Sequence, residues 1–254
     1  NKNVHADIGI AADIREVLHE LNREPVFLLR QEWMETIRRW KTEHPLAYHP
    51  VPDKLKPQQV IETLYRLTNG KAVIVPGVGQ HQMWAAQFYQ YTRPRQLLTS
   101  GGLGTMGFGL PAAMGAKLAL PEELIINIDG DGSFQMNIQE LGTIAVEEIA
   151  VKMIILNNQH LGMVAQIEDL FYRGKRGNTD LRTKENKPFP HFVGIANSYD
   201  IPARDVFSAD ELEDAIREML ETPGPFLLDC HTVYQDHVLP MIPGGKSCKD
   251  MITE

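Results

Sequence analysis

Residues 124–137 read LIINIDGDGSFQMN, and residues 151–158 read VKMIILNN. Each stretch opens with a short apolar run that turns polar, which is typical of a strand buried inside a parallel sheet. Between the two, the 3.6-residue period of Leu141, Ile144 and Glu148 predicts a helix. The order strand, helix, strand predicts a parallel crossover unit, whose two strands end at the same edge of the sheet.

Asp131 and Asn158 each follow one of these strands and are 27 positions apart, so we expect them side by side at that edge. A carboxylate and a carboxamide oxygen suit a hard cation such as Mg²⁺ or Ca²⁺ better than zinc. Gly132 and Ser133 add backbone N–H groups and a hydroxyl that suit an anion at a helix start. A metal ion beside an anion site predicts a bound phosphate or diphosphate.

Composition narrows the class of protein. The chain has 254 residues, of which 43% are hydrophobic, enough for one large core or for one domain with part of another. The formal net charge of −8 argues against nucleic acid or an anionic membrane as the main partner. No run approaches the roughly 18 apolar residues of a membrane span. Two cysteines, Cys230 and Cys248, are too few for a disulfide framework and fit a reducing compartment.

Strand and helix patterns alternate along most of the chain. The predicted strands cover residues 72–75, 96–99, 124–129, 151–156 and 226–230. This alternation predicts an α/β fold with a doubly wound, mostly parallel sheet and helices on both faces. Four prolines between residues 45 and 57 read as a linker, so we expect a boundary between residues 1–45 and 46–254.

Local signals also predict helix ends. One helix is expected to stop at Asn69-Gly70, a usual C-terminal signal. A second is expected near residues 82–91. A capping box formed by Ser208 and Glu211 predicts the start of a third.

Residues 77–81, GVGQH, follow a predicted strand and precede a helix. Small residues at such a turn let backbone N–H groups approach a phosphate, and His81 can add a donor. The alternative is that His81 caps a helix or lies at the surface. Its position at the same sheet edge as Asp131 and Asn158 favours a role in the binding site. No second histidine or cysteine completes a zinc set, so we do not interpret His81 as a metal ligand.

The loop at residues 100–109 contains a G-x-G-x-x-G pattern at Gly102, Gly104 and Gly107. This pattern is a weak signal for a dinucleotide-binding fold, and here at least one strand precedes it. The alternative is that the glycines bring the backbone against a flat heteroaromatic ring, with Met106 as a polarizable support.

Long motifs carry a family resemblance. The spacing from GDG to NN resembles the thiamine diphosphate motif, and four further stretches resemble the catalytic subunit of acetohydroxyacid synthase (acetolactate synthase). They are GVGQHQMWAAQ (77–87), SGGLGTMGFGLPAA (100–113), LNNQHLGMV (156–164) and HVLPMIP (237–243). The resemblance runs from about residue 50 to the end, and residues 1–40 resemble the tail of that enzyme's central domain.

The resemblance implies a thiamine diphosphate-binding domain at residues 46–254, with thiamine diphosphate and Mg²⁺ as cofactors. The Mg²⁺ ligands would be Asp131, Asn158 and the backbone carbonyl of His160. The cofactor-binding residues would be Val78, Gly79, Gln80, His81, Gly104, Met106, Gly132, Ser133, Gly162 and Met163. Met163 and Ile167 would line the substrate pocket.

The implied reaction is loss of CO₂ from pyruvate and transfer of the two-carbon unit to a second 2-ketoacid, in branched-chain amino acid biosynthesis. The family's activating glutamate lies in an N-terminal domain that is not in this chain, and Glu140 lacks its context. No catalytic residue is therefore assigned, and we expect the chain, which lacks an initiator Met, to be a fragment that is inactive alone. Its targeting region would be missing.

The family also implies partners and further cofactors. FAD would bind the full-length enzyme but not this chain. A homodimer or tetramer with the cofactor at the subunit interface is expected, together with a possible regulatory subunit, in the bacterial cytoplasm or the plastid stroma. The alternatives are another thiamine diphosphate-dependent 2-ketoacid decarboxylase or carboligase, a cofactor-binding half without activity, and a nicotinamide dehydrogenase.

Ile167 departs from the family pattern, because many members carry tryptophan there against the second-substrate pocket. The preference between pyruvate and 2-ketobutyrate therefore stays open. The alternative is that Ile167 only packs its helix against the core.

Overall fold

The computed structural model describes residues 5–23, 30–185 and 189–253. The described residues fall into two compact units, residues 1–47 and 48–254. The first unit contains helices α1 (Ile14–Arg23) and α2 (Gln31–Glu43).

The second unit is built on a parallel sheet. Within the described residues its five strands are β1 (Val73–Pro76), β2 (Ile125–Gly130), β3 (Lys152–Asn157), β4 (Ala203–Val206) and β5 (Phe226–His231). Their order across the sheet is β1-β2-β3-β5-β4, and every neighbouring pair is parallel. The predicted α/β class is confirmed.

Helices connect the strands and cover the sheet. They are α3 (Pro57–Thr68), α4 (Gln80–Phe88), α5 (Gly109–Ala119), α6 (Asp131–Phe134), α7 (Glu140–Val146), α8 (Gly162–Phe171), α9 (Phe192–Ser198) and α10 (Leu212–Glu221), with short 3₁₀ turns at Gln135–Asn137 and Cys248–Asp250. In the described part of the chain, no helix is long and apolar enough to cross a membrane.

The sheet separates two cores. Successive side chains of a strand point to opposite faces, so Ile126 and Ile128 pack with Trp84 in the core under α3, α4 and α10. Ile125 and Leu110 belong to the other core, under α5, α7 and α9. Because both faces are covered, β2 and β3 are buried along their whole length, which explains their continuous apolar runs.

Two local predictions need correction. Residues 96–99 do not form a strand, because only Leu97 bridges to Ile74 at the outer edge of β1 before the chain enters the glycine-rich loop. The predicted crossover helix is split into α6, a 3₁₀ turn and α7. It ends at Val146, and Glu148 takes a left-handed conformation (φ 50°) in the turn that leads back to β3.

Two helix starts are also displaced, whereas one helix end is confirmed. The helix predicted near residues 82–91 spans Gln80–Phe88. In the predicted capping box, the Glu211 carboxylate accepts a hydrogen bond from the Ser208 N–H at 2.9 Å, but Glu211 itself is the N-cap of α10. The predicted stop of α3 is confirmed by left-handed Asn69.

Candidate cofactor site

A cleft opens where β2 and β3 end. Gly130, the last residue of β2, is in register with Leu156 of β3, so Asp131 and Asn158 follow at neighbouring positions of one edge. Both side chains line this cleft. The structure therefore brings together the two residues that the sequence predicts to be neighbours.

Most of the predicted site residues line this cleft. They are Val78, Gly79, Gln80, His81, Met106, Asp131, Gly132, Ser133, Asn158, His160, Gly162 and Met163. Gly104 and Ile167 do not line it in the described structure. Gly104 is exposed on the adjacent loop, where an added Cβ would lie 3.8 Å from Val78 Cγ1. Ile167 is half-buried on α8, one turn beyond Met163.

Asp131 is a buried carboxyl group that forms no ion pair with the described residues. Its side chain is only 2% exposed, and its Oδ2 atom has no hydrogen-bond partner among the described residues. Burial raises the pKa of Asp131 to about 8, although the Gly132 N–H acts in the opposite direction, and the nearby carboxylate of Asp229 adds to the rise. A divalent cation at this carboxylate would remove the cost of its burial.

Ser133 joins three of the sequence motifs. Its Oγ accepts hydrogen bonds from the backbone N–H groups of Val78, at 3.3 Å, and Gly107, at 3.1 Å. Because both are donors to the oxygen, the hydroxyl proton of Ser133 is left to donate elsewhere. A hydroxyl donor and the start of α6 suit an anion at this position.

Asn158 is held by its neighbours in one orientation. Its Oδ1 accepts the His160 N–H at 3.2 Å, and its Nδ2 donates to Gln80 Oε1 at 3.4 Å. Gln80 Nε2 in turn donates to the Asp236 carbonyl at 2.7 Å and to Gln166 Oε1 at 3.0 Å. The orientation of a predicted metal ligand is thus coupled to the C-terminal segment.

Two buried histidines border the cleft. His160 packs edge-on against the Tyr234 ring at 4.4 Å, and burial lowers the pKa of His160 to about 4, so its ring is neutral at pH 7. His81 Nε2 lies 3.3 Å from Asp129 Oδ1, but among the described residues it has no hydrogen-bond partner. His160 Nδ1 and His81 Nε2 are therefore buried nitrogen atoms without a hydrogen-bond partner among the described residues.

Residues 77–230 match the family described as "Thiamine pyrophosphate enzyme, C-terminal TPP binding domain". The chain belongs to this family. The matched range contains every residue that lines the cleft.

Curated relatives match over the whole chain. It is 50% identical to "Acetolactate synthase 1, chloroplastic" of Nicotiana tabacum and 48% identical to the Arabidopsis thaliana acetolactate synthase. These alignments cover 100% of this chain and 39% of each relative, so the chain spans about two-fifths of their length. A solved structure, the Rhodococcus jostii RHA1 thiamine diphosphate-dependent 4-hydroxybenzoylformate decarboxylase, matches with a TM-score of 0.65, 27% identity, and coverage of 74% of this chain and 34% of that chain.

The glycine-rich loop belongs to this thiamine diphosphate-binding domain, so the dinucleotide interpretation was wrong. The loop comes after β1 and immediately before α5, rather than in the first strand-to-helix turn of a dinucleotide fold. Gly104 and Gly107 have left-handed φ angles of 65° and 83°, and the Gly107 N–H is used by Ser133.

Glycines make the cradle of the thiamine diphosphate-binding domain. A Cβ on Gly132 would lie 2.6 Å from Leu161 Cδ2, and a Cβ on Gly162 would lie 2.7 Å from Asn158 Nδ2. Neighbouring side chains therefore approach the backbone too closely at the starts of α6 and α8 for any residue but glycine. This cradle and the unpaired Asp131 oxygen fit a diphosphate with its cation.

Sequence reasoning missed part of the site. Trp84, Leu161 and Val164 supply apolar lining, and Gln166 holds Gln80 from the far side. Trp84, Leu161 and Val164 were inside recognised motifs and Gln166 lies just beyond one, but none had a local signal that distinguished it from a core residue.

Proposed function

We propose that this chain is the cofactor-binding part of an acetolactate synthase, which condenses pyruvate with a second 2-ketoacid and releases CO₂. The observation that carries this proposal is the buried Asp131 carboxylate, whose Oδ2 has no hydrogen-bond partner among the described residues, in a cleft that Asn158, Gly132 and Gly162 also line. Identity of 48–50% to acetolactate synthases along the whole chain supports the choice of reaction. Because the chain spans only part of those enzymes, the activity is a property of the longer protein.

Mg²⁺ is the cation that we assign to the cleft. Asp131, the Asn158 carboxamide oxygen and the backbone carbonyl of His160 would hold it, because hard oxygen donors suit this ion. Gly132, Ser133 and the start of α8 at Gly162 would hold the diphosphate through N–H and O–H donors. When bound, thiamine diphosphate supplies the electron sink for loss of CO₂ from a 2-ketoacid.

The remaining residues of the chain orient the cofactor and keep water out. The Gly104 carbonyl and the Met106 amide would hold the aminopyrimidine ring, and the Met106 side chain would support it from below. Val78, Gly79, Gln80 and His81 would complete the diphosphate site. Trp84, Leu161 and Val164 make part of the cleft lining apolar, which would limit the access of water to a bound cofactor.

The setting of the enzyme is part of this proposal. FAD would bind outside this chain, and the cofactor would lie at a subunit interface of a homodimer or tetramer, with a possible regulatory subunit. Relatives named chloroplastic support the plastid stroma, with a bacterial cytoplasm as the alternative. Branched-chain amino acid biosynthesis would use the product.

The test is Asp131→Asn, which removes the only charged ligand proposed for Mg²⁺. We expect the Mg²⁺-dependent affinity for thiamine diphosphate, measured by isothermal titration, to fall tenfold or more, about 1.4 kcal/mol. The matched control is Asp210→Asn, which changes an exposed carboxylate. Unchanged Mg²⁺ and cofactor titrations in Asp131→Asn would reject the assignment.

A second candidate function is a thiamine diphosphate-dependent 2-ketoacid decarboxylase or carboligase of another kind. The structural similarity to a 4-hydroxybenzoylformate decarboxylase favours it. Product analysis of the longer enzyme with pyruvate separates the two, because a decarboxylase releases an aldehyde whereas the synthase gives acetolactate.

A further inference from the structure

A second group of metal-ligand side chains lies at the carboxyl end of β4 and β5. Asp205 and Asp229 are register partners on these neighbouring strands, and His231 follows Asp229 by two positions, so all three project from one face of the sheet. His231 Nε2 lies 2.8 Å from Asp205 Oδ1 and 3.6 Å from Asp229 Oδ2. One ligand atom from each residue falls within 4.8 Å of the others. In the described structure, none of the three lines the cofactor cleft.

A fourth donor approaches from α9, which packs on both strands. His191, the N-cap of α9, places its Nε2 atom 3.8 Å from Asp205 Oδ2. Zinc bonds of about 2.0–2.2 Å put the ligand atoms of a tetrahedral site roughly 3.3–3.6 Å apart. The separations of His231 Nε2 from the two carboxylates, 2.8 and 3.6 Å, bracket this range, so shifts of about 0.5 Å would bring His231 to zinc-site distances from both. His191 lies outside the group of three whose ligand atoms fall within 4.8 Å of one another, so its exposed side chain would have to move closer to join them.

Charge also favours a cation in this group. Asp229 is 1% exposed, and within the described ranges no lysine or arginine forms an ion pair with either carboxylate. Two carboxylates balance one divalent cation, whereas two imidazoles balance them only when both are protonated.

Neighbouring groups hold two of the donors in place. Asn157 Nδ2 donates to both oxygens of Asp229, at 2.9 and 3.2 Å. The Phe207 ring stacks on the His231 ring at 4.3 Å with an interplanar angle of 9°. Such contacts are the usual means by which a protein orients metal ligands.

We propose that Asp205, Asp229, His231 and His191 form a zinc site, separate from the cofactor site. Two imidazole nitrogens and two carboxylate oxygens match the donors and number of a tetrahedral zinc site, whereas Mg²⁺ prefers oxygen donors alone. The two sites therefore select different ions. This inference does not depend on which 2-ketoacid reaction the longer enzyme performs.

The experiment is a titration of the chain with Zn²⁺ in the presence of excess Mg²⁺, and isothermal titration calorimetry measures the heat of binding. We expect one Zn²⁺ per chain, with the affinity reduced tenfold or more in His231→Gln and in Asp205→Asn. Asp131→Asn, which alters the cofactor cleft, and His49→Gln, which alters an exposed histidine, should both keep stoichiometric zinc binding with an affinity within a few-fold of the unaltered chain's. Absence of stoichiometric binding, or zinc affinity unchanged in His231→Gln, overturns the proposal. Loss of zinc in Asp131→Asn also overturns it, because the ion would then occupy the cofactor site.

Two further measurements guard against misfolded variants. His191→Gln changes a side chain that is 72% exposed, so folding is preserved, and we expect it to weaken zinc binding threefold or more. Substitution with Co²⁺ should give the intense visible absorption of a tetrahedral site in the unaltered chain but not in His231→Gln. Weak absorption of an octahedral ion in the unaltered chain would contradict the proposed geometry.

Discussion

The carboxamide of Gln166 pairs with both backbone groups of Val238. Its Oε1 accepts the Val238 N–H at 2.8 Å, and its Nε2 donates to the Val238 carbonyl at 3.0 Å. The same Oε1 accepts from Gln80, whose own oxygen accepts from Asn158. A buried side chain thus connects the C-terminal segment to Gln80 and, through one further hydrogen bond, to Asn158, a proposed Mg²⁺ ligand.

We predict that Gln166→Leu weakens Mg²⁺-dependent thiamine diphosphate binding about tenfold, equivalent to about 1.4 kcal/mol. The reason is that Gln80 and Val238 lose their partner, so Asn158 is no longer held in one orientation. Titration calorimetry measures the affinity, and denaturant unfolding measures stability separately. Gln139→Leu, at an exposed position, is the control. If Gln166→Leu lowers the free energy of unfolding but leaves the affinity for thiamine diphosphate unchanged, the hydrogen bonds of Gln166 stabilise the fold without orienting Asn158.

A second prediction compares two glycines. An alanine Cβ at Gly162 would lie 2.7 Å from Asn158 Nδ2 and would also meet Gln80, so we expect Gly162→Ala to reduce cofactor affinity at least tenfold. Gly115 is also helical, and a Cβ there meets nothing within 4 Å. Gly115→Ala should keep the affinity and stabilise the fold by about 0.5–1 kcal/mol. Equal affinity in both variants would show that Gly162 does not border the ligand.

The third prediction concerns Asp131 in the metal-free chain. Burial raises the pKa of Asp131 from 3.8 to about 8, so between these values the folded state holds a proton that the unfolded state has lost. The protonated Asp131 therefore contributes its full stabilisation of the folded state below the pKa of the unfolded state. This contribution is lost as the pH rises through the pKa of the folded state. The resulting fall in the free energy of unfolding is about 1.4 kcal/mol per pH unit between roughly pH 5 and pH 7.

Asn cannot ionise, so Asp131→Asn should remove this part of the pH dependence. Denaturant unfolding in a chelator, for both proteins across this pH range, gives the comparison. Mg²⁺ with thiamine diphosphate should restore stability at pH 8 only when Asp131 is present. Parallel pH profiles for the two proteins would contradict the raised pKa.

The sequence predicted best those elements whose signals are continuous and local. The apolar runs of β2, β3 and β5 are buried on both faces, so their composition alone identifies them. The meeting of Asp131 and Asn158 then follows from the geometry of a parallel crossover.

Other elements lack such signals. Strand β4 has the sequence ARDV and lies at the edge of the sheet, where it is only partly buried. Because two of its four residues are charged, its sequence did not predict a strand. Helix α5 contains Gly109, Pro111 and Gly115, which usually indicate a loop, but Pro111 lies in the first turn, where no N–H is needed. The link from Gln166 to Asn158 joins distant segments and follows only from the tertiary structure.

The fourth prediction is that the 254-residue chain alone makes no acetolactate from pyruvate. Proton removal by a positioned group contributes about 10²–10⁴-fold, and no carboxylate here has the family context of the activating glutamate. Glu140 accepts a hydrogen bond from Thr143 at 3.0 Å and, in the described structure, does not line the cleft. A colorimetric acetolactate assay is the measurement, with Asp131→Asn as the control for host enzyme. Activity that disappears in Asp131→Asn would refute the prediction.

The last prediction concerns Ile167 in the longer enzyme. Met163 and Ile167 are four residues apart on α8 and so share a helix face, but only Met163 lines the cleft of the described chain. A tryptophan at 167 is large enough to extend this face toward a second substrate, whereas isoleucine offers less area and a different shape. One methylene in an apolar pocket is worth about 1–3 kcal/mol, so a single side chain can set the preference.

We therefore expect Ile167→Trp to raise the ratio of 2-ketobutyrate to pyruvate used as second substrate, because the longer ketoacid gains apolar contact with the indole. Competition of the two ketoacids, with product ratios compared between the unaltered enzyme and the variant, measures this directly. Val164→Trp, at an exposed cleft position on the same helix, controls for the bulk of tryptophan. Equal ratios for the unaltered enzyme and Ile167→Trp would mean that Ile167 only packs α8 against its core.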